Sequence, residues 1–356
     1  MASSMAKRRL RIAQLANIAE RVPPQKYGGT ERVVYALTEE LVKRGHEVTL
    51  FASGDSITSA KLISIYPKAL RYSRVLDNVY GANILSLLNI GYAYQRQDQF
   101  NIIHDHNGYL SLPTANFSKT PVVMTIHGYF GVNEKRIFEN LKNPYLVPVS
   151  KAQAASAPNL KFMGNVYHGL EMKHFPFSKK PGKYLLFTGR ISMEKGVHFA
   201  IEVAQYLDIP LIIAAKLDSA VDAPHDVSYF KQFVEPKLSD QIKWVGEVNE
   251  TERNKLMSEA MCSLHPVTWP EPFGLTLIES MACGTPVVAF NLGSIPEVIE
   301  NGKSGYIVED VSSMIEAVAN ILKIDREYCR KYVLNKFNVK NMVDGYEQIY
   351  NKILSQ

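Results

Sequence analysis

Short apolar runs alternate with amphipathic stretches along most of this chain. The first run, at 10–16, is followed by apolar residues at helical spacing from Thr30 to Arg44, with Thr30 as the expected N-cap and Gly45 as the stop. Alternating strand and helix signals predict βαβ units built around parallel sheets. The strands predicted for the first unit are 10–16, 46–52, 102–106, 121–127 and 145–150.

A polar stretch rich in helix and strand breakers divides this pattern. It runs from Pro176 to Gly182, and a new series of apolar runs starts at Tyr184. Because a chain of 356 residues is long for one core, we expect two doubly wound domains, at 7–175 and 182–339. The strands predicted for the second unit are 184–189, 210–215, 242–246, 262–266, 286–290 and 305–308.

The segment from Trp269 onwards predicts a loop that leads into a helix. Its two prolines push the preceding residues to extended geometry, so the helix begins near Gly274 and ends before Gly284. Glu271 then precedes the helix and Glu279 lies within it. Free N–H groups at a helix N-terminus favour an anion such as a diphosphate, and carboxylates accept hydrogen bonds from sugar hydroxyls. An amphipathic helix with a capping acid is the alternative.

A second loop joins a predicted strand to a predicted helix and carries two cations. In Gly189-Arg-Ile-Ser-Met-Glu-Lys-Gly196, both Arg190 and Lys195 come near the same strand end. An Arg fork suits two phosphate oxygens and a Lys adds a point charge, so the pair is a candidate diphosphate site. A surface loop with solvated charges is the alternative.

Two glycines in the loop Tyr27-Gly-Gly-Thr-Glu31 allow a backbone to approach a ligand closely. The helix that follows would offer its first N–H groups to phosphate. Gly28 and Gly29 do not form a G-x-G-x-x-G fingerprint, and a flexible turn is the alternative.

Two predicted strands end in histidines. His127 ends one strand at the carboxyl edge, where open α/β sheets bind ligands. His104, Asp105 and His106 offer no third ligand on one face, so we expect an acceptor-side or structural role and no metal. His265 and Glu247 are weaker candidates for the nucleotide pocket.

Composition narrows the class of protein. With 46% hydrophobic and 21% charged residues the chain is typical of a globular protein, and its three cysteines suggest buried thiols in a reducing compartment. No run of about 18 apolar residues is present, and residues 1–6, which lack a signal-peptide core, are left out of the fold prediction. The net charge of +5 comes without a nucleic-acid motif. Lys68, Arg71 and Arg74 predict a solvated basic face, with peripheral contact to anionic lipid as the alternative.

The string from Trp269 to Ala289 resembles the E-x7-E signature of the retaining glycosyltransferases of family 4, also called glycosyltransferases group 1, which have the GT-B fold. The resemblance implies that Glu271 holds donor-sugar hydroxyls and that Glu279 accepts from the ribose. It implies catalytic roles for Arg190, Lys195, Glu271 and His127. The donor-binding residues it implies are Gly28, Gly29, Arg190, Lys195, Glu271, Phe273, Gly274, Leu275, Thr276 and Glu279.

The same resemblance implies a hexosyltransferase that takes a nucleoside diphosphate sugar, with UDP favoured, as donor and works by front-face displacement without metal or cofactor. It also implies that a final helix, at 340–356, packs back on the first, acceptor-binding domain. We expect a cytoplasmic enzyme, at most peripheral to the inner membrane face. The acceptor stays open between a lipid, a polysaccharide, a protein and a small molecule. A non-catalytic nucleotide-sugar-binding protein and a sugar-nucleotide epimerase are the alternatives.

Overall fold

The computed structural model describes residues 9–73, 79–140, 143–218 and 223–356. Its core is a pair of six-stranded parallel sheets, each formed by half of the chain. The first sheet contains β1 (Arg11–Leu15), β2 (Glu47–Phe51), β3 (Lys61–Ile63), β4 (Ile102–Asp105), β5 (Val122–Ile126) and β6 (Tyr145–Pro148). The second contains β7 (Leu185–Arg190), β8 (Leu211–Lys216), β9 (Ile242–Trp244), β10 (Cys262–His265), β11 (Val287–Phe290) and β12 (Gly305–Val308).

Both sheets are doubly wound, because strand order reverses direction beside the first strand of each. The orders are β3-β2-β1-β4-β5-β6 and β12-β11-β10-β7-β8-β9. The α-helices are α1 (Gly29–Lys43), α2 (Val79–Tyr94), α3 (Leu112–Ala115), α4 (Val132–Asn140), α5 (Lys151–Ala155), α6 (Val197–Leu207), α7 (Pro224–Tyr229), α8 (Glu250–Glu259), α9 (Leu275–Ala282), α10 (Ile295–Val298), α11 (Val311–Ala319), α12 (Arg326–Lys336) and α13 (Val339–Leu354).

The predicted α/β class with two parallel sheets is confirmed. Each predicted strand corresponds to an observed one, and β3 is the strand that the pattern does not predict. It has three residues, none of them fully buried, and it pairs only with β2 at the sheet edge. A strand so short and so exposed carries too little hydrophobic alternation to stand out in the sequence.

The last helix, α13, packs against the first sheet although it follows α12 of the second unit. Its Tyr346 and Tyr350 are fully buried in a cluster with Ile12 of β1 and Val123 of β5. Its strongly amphipathic pattern explains this placement, because an apolar stripe of a 16-residue helix must be covered. None of the helices described is long and apolar enough to cross a membrane.

The chain crosses between the two units at two points that lie side by side. The Leu170 amide donates to the Phe337 carbonyl at 2.8 Å, and the Val339 amide donates to the Leu170 carbonyl at 3.0 Å. At Gly169 a Cβ would lie only 2.3 Å from the Asn338 carbonyl oxygen, so this close approach requires glycine. The breaker-rich segment at 176–182 packs along the second unit, where the Ser178 amide donates to the Cys283 carbonyl at 3.3 Å.

Candidate active site

A cavity of about 880 Å³ lies between the two sheets, and both halves of the chain line it. The first unit contributes the loop at 26–32, which follows β1, together with His127 after β5. The second unit contributes the end of β7 and the loop that leads into α9. These positions are the carboxyl ends of parallel strands, where open α/β sheets bind ligands.

The start of α9 has the predicted form. Gly274 is its N-cap at φ 81°, and a Cβ there would lie 2.7 Å from Leu277 Cδ1, so glycine is required. No side chain caps this end, which leaves the first amides of the helix unsatisfied. Phe273, Gly274, Leu275 and Thr276 all line the cavity. The helix therefore offers N–H groups and the positive end of its dipole to an anion.

Glu271 is the centre of a polar cluster just before α9. Its Oε2 accepts from Lys195 Nζ at 2.6 Å and from Trp269 Nε1 at 3.3 Å, and His265 Nε2 lies 3.6 Å away. Burial alone would raise the pKa of Glu271, but the charge of Lys195 and the contact with His265 together outweigh it and lower the pKa to about 2. The other oxygen, Oε1, has no partner among the described residues, so an ionised carboxylate oxygen is available to a ligand.

Glu279 lies in the second turn of α9 and also lines the cavity. It is buried and accepts from Arg253 Nη2 of α8 at 3.1 Å. Arg253 is buried as well, and its Nε has no hydrogen-bond partner in the described part of the chain. The two side chains form an ion pair in the cavity lining.

Arg190 and Lys195 line the same cavity, as the loop that carries both suggests. Arg190 pairs with Glu194, and its Nη1 lies 3.6 Å from Asp226 Oδ2. Burial opposes the charge of Arg190, but these carboxylates keep its pKa above the ordinary value. Arg190 is thus held charged at the cavity wall, and Lys195 lies at the same wall in an ion pair with Glu271.

The glycine loop places the first unit against the start of α9. Gly28, at φ 150°, is the N-cap of α1, so the prediction of Thr30 as N-cap is wrong by two residues. α1 starts before the predicted residue. Its first residues line the cavity, where N–H groups can remain without a side-chain cap. A Cβ at Gly29 would lie 3.2 Å from Leu275 Cδ1, so the N-termini of α1 and α9 meet across the cavity.

His127 lines the cavity from the end of β5. Its Nε2 and the Nδ1 of His106 are 2.9 Å apart, and its ring stacks on that of His168 with centroids 5.2 Å apart. Burial lowers the pKa of His127 to about 4, so this side chain is neutral at pH 7.

His104, Asp105 and His106 lie behind the cavity wall and do not line it. His104 and Asp105 are fully buried, and Asp105 Oδ2 accepts from the Tyr94 hydroxyl at 2.8 Å. The structure therefore places all three inside the first unit and gives no support to an acceptor-side role. These polar side chains can be buried at the strand end because neighbouring side chains supply their hydrogen bonds.

The interpretation of Arg71 as part of a solvated basic face is wrong. Arg71 Nη1 donates to Glu20 Oε1 at 2.6 Å, and its Nη2 donates to Glu247 Oε2 at 2.5 Å. All three side chains line the cavity, and Glu247 belongs to the second unit. Arg74 lies outside the described residues, and Lys68 is exposed. Only tertiary contact brings Glu20 and Glu247 to Arg71, so no local pattern could reveal this ion pair.

Other cavity residues escape the sequence analysis. His168 precedes Gly169 just as His127 precedes Gly128, and that shared His-Gly pair after an apolar run is the signal that could have found it. Arg32, Lys216 and Arg253 carry no such signal, because each is one of many charged residues on a helix face or strand end. His265 and Glu247, named as weaker candidates, both line the cavity. The cysteines are free and buried.

Two doubly wound parallel sheets that face a shared cavity define a protein of the GT-B class. Residues 171–337 match the family model described as "Glycosyl transferases group 1", and residues 27–160 match the one described as "Glycosyltransferase Family 4". Together these matches span most of the chain, which therefore belongs to the family 4 glycosyltransferases.

The chain is also similar to individual proteins and to solved structures. An uncharacterized 41.2 kDa protein from the cps region of Klebsiella pneumoniae is 31% identical over 47% of this chain and 45% of its own length. N-acetyl-alpha-D-glucosaminyl L-malate synthase of Bacillus anthracis is 23% identical over 92% of this chain and 94% of its own. The structure of Anabaena HepE in complex with UDP and glucose has a TM-score of 0.73 at 18% identity, covering 98% of this chain and 100% of that one.

Proposed function

We propose that this glycosyltransferase moves a hexosyl unit from a nucleoside diphosphate sugar to a hydroxyl group of an acceptor, with retention at the anomeric carbon. One observation carries the proposal. Lys195 and Glu271 pair 2.6 Å apart beside the unsatisfied N-terminus of α9, and Arg190 lines the same cavity. The site thus combines two cations and free amides for a diphosphate with an acceptor oxygen for a sugar hydroxyl.

The cations and the amides would stabilise the departing diphosphate. Cleavage of the sugar–phosphate bond leaves about one extra negative charge on the leaving group, and groups fixed in advance stabilise that charge at little reorganisation cost. Arg190 would exchange Glu194 for phosphate oxygens, and Lys195 would add its charge while it stays paired with Glu271. This supply of positive charge supports a reaction that does not require a metal ion.

The sugar would lie between Glu271 and His127. Glu271 Oε1 would accept from a sugar hydroxyl, and the free nitrogen of His127 would make a further contact. In a front-face displacement, the acceptor oxygen bonds to the anomeric carbon on the side that the phosphate oxygen leaves. That phosphate oxygen takes the acceptor's proton, so the protein contributes position and charge rather than a base.

The nucleotide would lie beside Glu279 and Arg253, with the ribose hydroxyls donating to Glu279. UDP is the nucleotide we favour, supported by the solved structure of HepE with UDP and glucose. The acceptor would lie mainly against the first unit and carries a hydroxyl group. A lipid, a polysaccharide, a protein and a small molecule all meet that requirement.

A panel of UDP-, GDP-, ADP- and dTDP-sugars tests the proposal. Each is mixed with the purified protein without acceptor or added metal, and thermal stabilisation and nucleotide release are measured. We expect one UDP-sugar to stabilise the protein and to be hydrolysed slowly, with an initial product of the same anomeric configuration as the donor, measured by proton NMR. A product of inverted configuration would overturn retention, and no response to any donor would count against the site.

Variants of the central pair connect any activity to this cavity. We expect Glu271→Ala or Lys195→Ala to abolish transfer while circular dichroism shows an unchanged fold. Lys303→Ala is the matched control, since Lys303 pairs with Glu300 on the surface outside the cavity. Full activity in either cavity variant would contradict the assignment.

A further inference from the structure

A row of hydrogen-bonded side chains runs from the cavity into the first unit. His127 Nε2 and His106 Nδ1 are 2.9 Å apart, and His106 Nε2 lies 2.9 Å from Gln14 Oε1. Gln14 Nε2 is 3.4 Å from His104 Nδ1, which also lies 2.6 Å from the Tyr350 hydroxyl of α13. These four contacts join five side chains, of which only His127 lines the cavity.

The donor and the acceptor of each hydrogen bond in the row can be assigned, because the side chains differ in which atoms carry a hydrogen. Gln14 Oε1 only accepts, so the hydrogen between it and His106 must be on His106 Nε2. Burial lowers the pKa of His106 well below its ordinary value, which keeps the ring neutral with a single N–H. His106 Nδ1 is then an acceptor, and the hydrogen of the next contact must be on His127 Nε2.

We propose that Gln14 and His106 are positioning residues that hold His127 as its Nε2–H tautomer, which leaves His127 Nδ1 as an acceptor for a hydroxyl group of the bound ligand. Nδ1 has no partner among the described residues. In combination with the proposed function, on which this step rests, that hydroxyl belongs to the donor sugar. His127 and Glu271 would then both accept from the sugar, so the site prefers a ligand that presents hydroxyl donors to both.

The burial of the row explains how it can control a side chain at the cavity. Gln14 and His104 are fully buried and His106 is 5% exposed, so water does not compete for their hydrogen bonds. Tyr350 fixes the far end from α13, and Thr125 Oγ1 lies 2.7 Å from His104 Nε2. A reversed row would leave His127 with an Nδ1–H donor, which is the opposite chemistry at the ligand.

Nitrogen NMR of the full chain labelled with ¹⁵N-histidine tests the tautomer directly. The chain has nine histidines, and the His127→Gln spectrum identifies the His127 signals by their loss. We expect His127 Nε2 to carry the hydrogen at pH 7.5 and Nδ1 to have the shift of a bare ring nitrogen. A protonated Nδ1 in the wild-type protein would overturn the proposal.

Variants separate positioning from plain structural support. His106→Asn keeps an acceptor oxygen near the place of Nδ1, whereas His106→Leu and Gln14→Met remove a partner from the row. We expect His106→Asn to keep the Nε2–H tautomer of His127, and the other two to give mixed tautomers. For the latter two variants, kcat/KM for hydrolysis of the donor found in the panel should fall about 5- to 10-fold, the effect of one neutral hydrogen bond.

Tyr94→Phe is the matched control. It removes a buried hydrogen bond to Asp105, which lies in β4 beside His104, and leaves the five side chains of the row in place. It should lower the melting temperature but leave the tautomer and kcat/KM unchanged. A single Nε2–H tautomer with unchanged kinetics in both Gln14→Met and His106→Leu would overturn the proposal. A correct tautomer in a protein that processes no nucleotide sugar would instead overturn the proposed function and leave the row intact.

Discussion

At the residue scale, three cations of the cavity wall are paired with carboxylates. Lys195 Nζ lies 2.6 Å from Glu271 Oε2 and 4.8 Å from the centre of the Trp269 ring, so its charge has two partners. Arg190 and Arg253 are likewise paired with carboxylates. A ligand that carries phosphates and hydroxyls can therefore exchange one set of charged partners for another, without leaving a buried charge alone.

Lys195 and Glu271 should affect different steps. Lys195→Met removes the positive charge that would stabilise the leaving diphosphate. We therefore expect kcat to fall about 100-fold or more with little change in donor KM. Glu271→Gln keeps the shape but weakens a hydrogen bond to the sugar, so kcat/KM should fall by about 10- to 100-fold. Steady-state kinetics with the donor identified in the panel measures both. If Lys195→Met raised the donor KM and left kcat unchanged, a role at the leaving group would be contradicted.

The buried histidines should make stability depend on pH. The pKa of His127 falls from 6.5 in the unfolded chain to about 4 in the folded one, so the unfolded state binds a proton first as pH decreases. The free energy of unfolding should therefore fall between about pH 6.5 and pH 4, by up to about 1.4 kcal/mol per pH unit for this histidine. His104, His106 and His168 act in the same direction, since burial lowers each pKa.

Urea unfolding at pH 7.5, 6.0 and 5.0 measures this dependence. His127→Gln should show a shallower decline than the wild-type protein, because one of the groups that take up a proton on unfolding is gone. A free energy of unfolding that stays constant over this range would show that these rings protonate in the folded state.

At the element scale, helix starts determine the site. α1 and α9 both begin at a glycine with positive φ, and neither has a side-chain cap. Some other helices are capped by side chains, as α8 is by Asn249 and α11 by Asp310, whereas α6 and α7 also lack a side-chain cap. At the cavity, the uncapped starts of α1 and α9 leave to a ligand the hydrogen bonds that a cap supplies to α8 and α11.

Gly274→Ala should damage donor binding more than stability alone explains. The residue would be forced into left-handed geometry, and its Cβ would lie 2.7 Å from Leu277 Cδ1. Gly302→Ala is the matched control, with φ 76° and no atom within 4 Å of the added Cβ. Both should lose about 1–3 kcal/mol of stability, but only Gly274→Ala should weaken UDP binding. Calorimetric titration with UDP distinguishes them, and equal affinities would count against a phosphate site at α9.

At the scale of the whole molecule, polar contacts join the two units both at the cavity and away from it. Arg71 and the Tyr27 amide of the first unit both bind Glu247 of the second. Outside the cavity lining, the amides of Lys151 and Ala152 donate to Glu297. The paired crossings at Leu170 and Asn338 connect the units directly. We propose that the units at 7–175 and 182–339 are domains that turn about these crossings.

Domain closure should follow donor binding and depend on Arg71. We expect small-angle X-ray scattering to show a smaller radius of gyration when a donor is added, because a closed cleft excludes water from the reaction. Arg71→Met removes the ion pairs to Glu20 and Glu247, so the ligand-free protein should become more extended. Arg9→Met, at an exposed ion pair with Glu47, is the control. An unchanged radius with saturating donor would contradict closure.

The sequence alone determined the class of fold and the local form of the loop that leads into α9. Strand positions follow from short apolar runs, and the start of α9 follows from the two prolines before Phe273 and the glycine after it. These features are local, since steric limits on the backbone and the burial of adjacent residues fix them.

Only the tertiary structure decided which charges meet. Arg71 lies 176 positions from Glu247 in the chain, and Tyr350 lies 246 positions from His104, yet each pair shares a hydrogen bond. The same packing hides His104, Asp105 and His106 behind the wall while His127 reaches the cavity. Contacts at such separations depend on how two sheets and the returning helix α13 pack together, and no pattern of neighbouring residues contains that arrangement.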